Sequence, residues 1–280
     1  MDQSRQIIPR LGRTDYLNTR PVFYGFDKGV VKETFTTTRG EPSYLNHLLA
    51  EGKLDISLIS SAAYAFESEK YLILPDLSVS SFGPVDSVLL LSKVPFEKLD
   101  EKLIVLTESS ATSIQLIKLL FTELFSVTPV YTTERIHSDT VSKNDCHAVL
   151  SIGDEALRLR QQSIFPYVLD LGEAWRKLTG FPFVFAVWAV RKKFYSAHPE
   201  TCKKIHSSIL SSKAYGLAHL AEISAEVHNN ADLTVKECRE YFNHLKYDLD
   251  GSYQKGLKCF FDYLYRVKAV PNPVEIRFID

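Results

Sequence analysis

The chain has 280 residues, enough for one large or two modest domains with a full hydrophobic core. With 33 basic against 34 acidic residues its net charge is −1, which argues against nucleic acid or a membrane surface as partner, since both select a basic excess. A hydrophobic content of 45% with 12 glycines and 12 prolines excludes a fibrous or low-complexity chain.

The first predicted strand is Ile7–Gly12, Pro21 opens a short helix, and Lys32–Thr38 reads as a second strand. Pro42–Ala50 is a helix with Leu45, Leu48 and Leu49 on one face, ended by Gly52. Ile56–Ile59 is a buried strand that runs into Ser60-Ser61 and a short helix through Ala65. This strand–helix–strand rhythm belongs to a mainly parallel sheet with helical crossovers. Tyr71–Leu77 and Val85–Ser92 are further strands, and the polar stretch from Pro95 to Lys102 is the first candidate boundary. Leu103–Leu106 opens a second sheet, after which Ser109 or Ser110 caps a helix with the stripe Ile114, Ile117, Leu120, Phe121 and Leu124. His147–Ile152 and Phe183–Val190 read as strands, and Val168–Gly172 as a short strand or loop. From Pro199 the chain turns helical. One long helix reaches about Val227, Thr234 and Glu237 form a capping box, and Asp250 caps a last helix with the stripe Leu257, Phe260, Phe261, Leu264 and Tyr265.

The expected architecture is α/β in two lobes. Residues 1–92 and 185–280 form a discontinuous first lobe that carries the C-terminal helices, and residues 93–184 form the second, with crossings near Ser92 and Phe185. Ligands of such proteins sit between the lobes, at strand carboxyl ends and helix N-termini.

No glycine-rich phosphate loop and no nucleophile elbow is present, so neither a nucleotide cofactor nor standard hydrolase chemistry is expected. Cys146, Cys202, Cys238 and Cys259 form no CxxC pair and read as reduced core thiols; the adjacent Cys146-His147 is weak support for a metal, and none is expected. The N-terminus lacks an apolar core and a cleavage site, and the longest apolar run, Phe181–Val190, is about half a membrane span. A cytoplasmic protein with no membrane association is the expectation.

The positive signal is Thr107–Ser113, a strand-to-helix junction with four hydroxyls in the five positions from Ser109. Helix starts expose unpaired N–H groups and partial positive charge, which bind carboxylates. Capping needs only one of these hydroxyls, so anion binding through Ser110, Thr112 and Ser113 is the preferred reading. Ser60-Ser61 repeats the arrangement in the first lobe and fits a cap or an anion site equally. Asn18 suits an ordinary turn, Ser87 an ordinary strand, and Asp154-Glu155 after Gly153 the start of a helix at the cleft side.

A set of short stretches, taken in order, says more. They are Gly12–Asn18, Pro42–Asn46 through Gly52–Asp55, Ile59–Ala65, Val85–Ser92, Ser110–Ser113, Gly153–Leu157, Leu169–Trp175 and Phe181–Trp188. Together they resemble the chorismate dehydratase family of the futalosine route to menaquinone (MqnA), across nearly the whole chain. The resemblance implies a two-lobed type II periplasmic-binding-protein-like fold, with a helical C-terminal segment packed on the first lobe and used for catalysis inside the cell. It implies loss of water from chorismate to give 3-[(1-carboxyvinyl)oxy]benzoate, without metal or cofactor. Asn18 and Ser87 match positions that the family pattern associates with the active site. They are expected to be catalytic, with Ser60, Ser61, Ser110, Thr112, Ser113 and Asp154 binding the substrate. The matching stretches hold no His or Lys, so the proton acceptor is either the substrate's own enolpyruvyl carboxylate or Asp154 or Glu155. Two other readings stay open. The related pathway enzyme that acts on cyclic dehypoxanthine futalosine resembles Ile-His-Glu where this chain has Ile152-Gly153-Asp154, and a non-catalytic anion-binding protein shares the fold. Oligomeric state is not legible in any of these features.

Overall fold

A computed structural model of the chain describes residues 7–137, 146–162 and 164–280. The first lobe opens with β1 (Arg10–Arg13), α1 (Arg20–Asp27), β2 (Thr36–Arg39), α2 (Pro42–Ala50), β3 (Ile56–Ser60), α3 (Ser61–Phe66) and β4 (Tyr71–Ser81). The chain crosses and forms β5 (Val88–Ser92), β6 (Leu103–Thr107), α4 (Ala111–Leu120), β7 (Val130–Glu134), β8 (Ala148–Ile152), α5 (Gly153–Gln161), β9 (Tyr167–Asp170) and α6 (Leu171–Thr179). It returns as β10 (Phe183–Arg191) and ends in α7 (Lys192–Ala197), α8 (Pro199–Ala218), α9 (Leu220–Val227), α10 (Val235–His244), β11 (Leu245–Lys246) and α11 (Gly251–Arg266).

The first sheet has the order β11-β4-β10-β3-β1-β2 and the second β7-β6-β8-β5-β9. Apart from β11 the two orders are the same. In each, the strand that has just arrived from the other lobe runs against its neighbours: β10 is antiparallel to β3 and β4, and β5 to β8 and β9. The remaining core strands of each lobe run the same way, β2-β1-β3 and β7-β6-β8 by direct parallel pairing. Their carboxyl ends therefore converge on one edge of each sheet, and these edges face each other. Strands β3 and β5 are buried at every residue, as expected of strands covered on both faces.

The helical tail packs on the first lobe. Helix α8 lies so close to α1 that a Cβ on Gly216 would stand 1.9 Å from the Pro21 carbonyl oxygen, which leaves room only for glycine. Phe260 of α11 meets Phe183 of β10 at 5.0 Å between ring centroids, and β11 pairs with β4. The caps assigned to Ser110, Thr234 and Asp250 form, the second as a reciprocal capping box. All four cysteines are free thiols. Among the described residues no helix is long and apolar enough to cross a membrane.

Several expectations need correction. The run Val85–Ser92 is not a strand of the first lobe: β5 begins at Val88 and pairs with β8 and β9 in the second sheet. The first crossing is therefore Phe82–Ser87, not Ser92, and the second-lobe sheet starts before residue 93. Asp86 takes φ +61°, a left-handed turn just ahead of the apolar run Val88–Leu91. Ile7 and Ile8 are exposed and lie outside β1. The second strand starts at Thr36 and not Lys32. The long C-terminal helix breaks at His219 into α8 and α9. Leu124 and Tyr265, placed on buried stripes, are exposed.

Candidate active-site cleft

The cleft between the lobes leaves about 70 Å³ of free volume. Its polar wall comes from the converging strand ends. In the first lobe β1 leads into Thr14, Tyr16 and Asn18, and β3 ends at Ser60; in the second, Ser110 and Ser113 stand at the start of α4. Leu58, Val79, Val88, Ile152 and Phe185 supply an apolar surface. Among the described residues no acidic or basic side chain lines this cleft.

Each polar group has a local reason for its place. The Thr19 hydroxyl lies 3.0 Å from the carbonyls of both Thr14 and Tyr16 and curls the chain into a short turn at Leu17–Thr19. Pro21 then starts α1, where its missing N–H costs nothing. Asn18 sits in this turn, and no described residue hydrogen-bonds its carboxamide. Ser110 caps α4 by accepting from the Ser113 amide at 3.2 Å, and the two hydroxyls lie 2.9 Å apart. Ser60 caps α3 more loosely, accepting from the Ala63 amide at 3.4 Å.

The cleft thus gathers four of the eight expected residues: Asn18, Ser60, Ser110 and Ser113. The other four lie outside its wall. Ser61 donates to the Val184 carbonyl at 2.6 Å, and Thr112 accepts from the Ala62 amide at 2.8 Å across the lobe boundary. Adjacent side chains at a strand-to-helix junction diverge, so one of each hydroxyl pair turns into the packing. The Ser87 hydroxyl accepts from the Tyr241 hydroxyl at 3.0 Å and lies 3.4 Å from the Val85 carbonyl. It is fully buried beside the C-terminal helices. Asp154 borders an adjoining hollow with Arg135, Arg158 and Ser151, and its Oδ1 accepts from the Leu17 amide at 3.0 Å.

Burial pushes the Asp154 carboxyl up to about 6, against the Leu17 amide and the positive charges of Arg158 and Arg20. A raised pKa means that the folded chain binds this proton more tightly than the unfolded chain. The buried charge therefore costs stability above pH 6, and the cost disappears as pH falls towards 4, the ordinary carboxylate value. Asp154→Asn is expected to unfold at a higher temperature than the parent protein at pH 7, by an amount on the order of 2 kcal/mol. The two curves should converge at pH 4, as thermal unfolding across that range will show.

Tyr16 and Thr14 are cleft residues that sequence reasoning missed, although both lie in the Gly12–Asn18 stretch. The Tyr16 ring packs on Gly153, whose φ is +62° and whose Cβ would lie 3.2 Å from the ring. The Tyr16 hydroxyl donates to Glu41, and burial together with this bond holds it above its usual pKa. Arg135 and Arg158, which line the adjoining hollow together with Asp15, Glu41, Asp154 and Glu155, carried no sequence signal.

Two lobes, each with three parallel strands, joined by a pair of crossings and meeting at a hydroxyl-lined cleft, define the type II periplasmic-binding-protein fold. Solved structures agree. A protein from Archaeoglobus fulgidus superposes with a TM-score of 0.77 at 17% identity, covering 95% of this chain and all of that one. The periplasmic aliphatic sulphonate binding protein SsuA of Escherichia coli gives 0.66 at 12% identity, with 97% of each chain covered. A Candida albicans protein described as having the generic periplasmic binding protein fold gives 0.66 at 13% identity, with 98% of each covered. The chain belongs to the menaquinone biosynthesis family, whose profile matches residues 9–266. It is 30% identical over 269 residues to the chorismate dehydratase of Thermus thermophilus, spanning 91% of this chain and 94% of that protein.

Proposed function

We propose that the protein is a chorismate dehydratase, a hydro-lyase of menaquinone biosynthesis acting in the cytoplasm on a small-molecule substrate. The observation that carries this reading is the 30% identity to the Thermus thermophilus enzyme along nearly its full length. The cleft is compatible with that substrate. Chorismate is a dianion with a cyclohexadiene ring that has one hydroxyl and one ether oxygen. The hydroxyls of Ser60, Ser110 and Ser113 and the start of α4 offer donors to a carboxylate, while Leu58, Val79 and Phe185 offer a surface to the ring.

The reaction needs little from the protein beyond geometry. The C3 hydrogen of chorismate is vinylogous to the ring carboxylate through the C1–C2 double bond. Its removal leaves an electron pair delocalised towards that carboxylate. The pair then forms the C3–C4 π bond of the aromatic ring as the C4–O bond to the 4-hydroxyl breaks. The proton and the hydroxide together are the water released, so the step is redox-neutral, and aromatisation supplies the driving force. Asn18, with a carboxamide that both donates and accepts, orients the reacting face. Among the described residues no cleft-lining side chain is a His, Lys, Asp or Glu, which favours the substrate's enolpyruvyl carboxylate as the proton acceptor. Ser87, engaged by Tyr241, supports the crossing strand behind the reacting ring.

Two serine variants separate binding from capping. Ser113→Ala keeps the backbone amide that Ser110 caps, so KM should rise several-fold while stability stays within about 0.5 kcal/mol of the parent. Ser110→Ala should raise KM similarly and also cost about 1 kcal/mol through the lost cap. Initial rates and thermal unfolding on the same preparations check both.

Ligand specificity tests the proposal. Chorismate at concentrations well above its Kd is expected to raise the unfolding temperature. Stabilisation by cyclic dehypoxanthine futalosine, with none by chorismate, would assign the protein to the later pathway step instead. Stabilisation by alkanesulfonates alone would make it a binding protein.

A further inference from the structure

The turn that carries Asn18 is completed from the opposite lobe. Leu17 is the first residue of the Leu17–Thr19 turn, and the residue before it, Tyr16, provides no side-chain cap. The first N–H of a helical turn has no partner within the turn and must find one elsewhere. Here the partner is Asp154 Oδ1, at 3.0 Å, from the first turn of α5 in the second lobe. The other hydrogen bonds that fix this turn are local to the first lobe, from the Thr19 hydroxyl to the carbonyls of Thr14 and Tyr16. On the second-lobe side the contact surface is also fixed. The Gly153 amide donates to the Ser87 carbonyl at 2.7 Å, and Gly153 packs against the Tyr16 ring.

We propose that Asp154 is a positioning residue: it caps the Leu17–Thr19 turn across the cleft and so fixes the Asn18 carboxamide when the lobes are together. Closure and catalytic geometry are then one event. The Leu17 amide loses its cap when the lobes part, and Asn18 regains freedom at the moment when substrate enters or product leaves. The role asks only for a hydrogen-bond acceptor at this position and not for a charge. This reading rests on Asn18 acting in the cleft as proposed above. It separates Asp154 from the alternative role of proton acceptor, because a carboxamide keeps the acceptor oxygen but cannot take up a proton.

The test compares Asp154→Asn with Asp154→Ala. In chorismate turnover, Asp154→Ala is expected to lower kcat by about 10²-fold, the effect of a displaced reacting group, with KM changed less than threefold. Asp154→Asn should restore kcat to within about threefold of the parent protein. Amide hydrogen exchange at Leu17, read without substrate, should be fast in Asp154→Ala and slow in Asp154→Asn and the parent. That readout reports the cap even if chorismate is not the substrate, so failure of the functional reading and failure of the cap are told apart. Equal inactivity of both variants, with Leu17 still protected in Asp154→Asn, would overturn the proposal and make the carboxylate a chemical participant. Unchanged kcat or unchanged Leu17 exchange in a folded Asp154→Ala protein would overturn it as well.

Discussion

Asn18→Ala is expected to lower kcat/KM for chorismate by about 10²–10³-fold, the loss that follows removal of one preorganised donor from a site of developing charge. The size of the effect comes from fixed geometry. Asn18 lies in a turn held by the Thr19 hydroxyl, completed across the cleft by Asp154 and followed by Pro21, so its backbone is set once the lobes are together. Its carboxamide is not committed to any described residue and faces a cleft that, among the described residues, has no acidic or basic side chain. In such a setting a neutral amide is worth more than it is in water. The same lack of commitment means that truncation breaks no bond of the fold, and stability should change by less than about 0.5 kcal/mol. Rates on purified variants, with thermal unfolding as the control, check both halves. A loss below threefold would remove Asn18 from the mechanism.

The largest effect on stability is expected at Trp175. The side chain is fully buried and its Nε1–H donates to the Pro182 carbonyl at 3.1 Å. Its ring stands edge-on to Phe183 at 5.1 Å, to Tyr263 at 5.7 Å and to Phe260 at 6.1 Å. It thereby ties α6, the last helix before the return crossing, to β10 and α11 of the first lobe. Asp170 fixes the other end of α6, accepting from the Gly172 and Glu173 amides and from the amides of Val85 and Asp86 in the first crossing. One short helix thus holds both crossings. Trp175→Ala opens a cavity and strands a carbonyl, a cost of about 3–5 kcal/mol. That corresponds to a fall in Tm of roughly 10 °C for a chain of this size. Urea unfolding of the variant measures it, and a cost under 1 kcal/mol would mean that the lobes are not joined through this contact.

How far the sequence could be read depended on where its signals are local. Strand-to-helix junctions announce themselves, because an apolar run ends abruptly at Ser60 or Ser110. The helix caps at Ser110, Thr234 and Asp250 were equally plain. The crossing was not, because Val85–Ser92 reads as one strand across the polar pair Asp86-Ser87; what turns the chain is the left-handed backbone of Asp86. Strand β7 escaped notice because Val130–Glu134 is a half-exposed, threonine-rich edge with no alternation to read. The two-residue β11 is too short to leave any pattern.

The site shows the same division. Hydroxyl-rich junctions lie at the cleft, but which hydroxyl of Ser60-Ser61, or of Thr112-Ser113, lines it depends on the turn of the backbone and not on composition. Ser61 and Thr112 are absorbed by Val184 and Ala62. Ser87 was singled out by resemblance alone, and its bond to Tyr241 depends on a helix more than 150 residues away. The cap from Asp154 to Leu17 spans 137 positions and has no sequence signature.

The most direct measurement is incubation of the purified protein with chorismate, followed by mass-resolved chromatography, with Asn18→Ala in parallel. The expected result is an aromatic product one water lighter that retains the carboxyvinyl ether, formed by the parent protein and strongly reduced in the variant. Chorismate that declines no faster than in buffer alone would contradict the assignment.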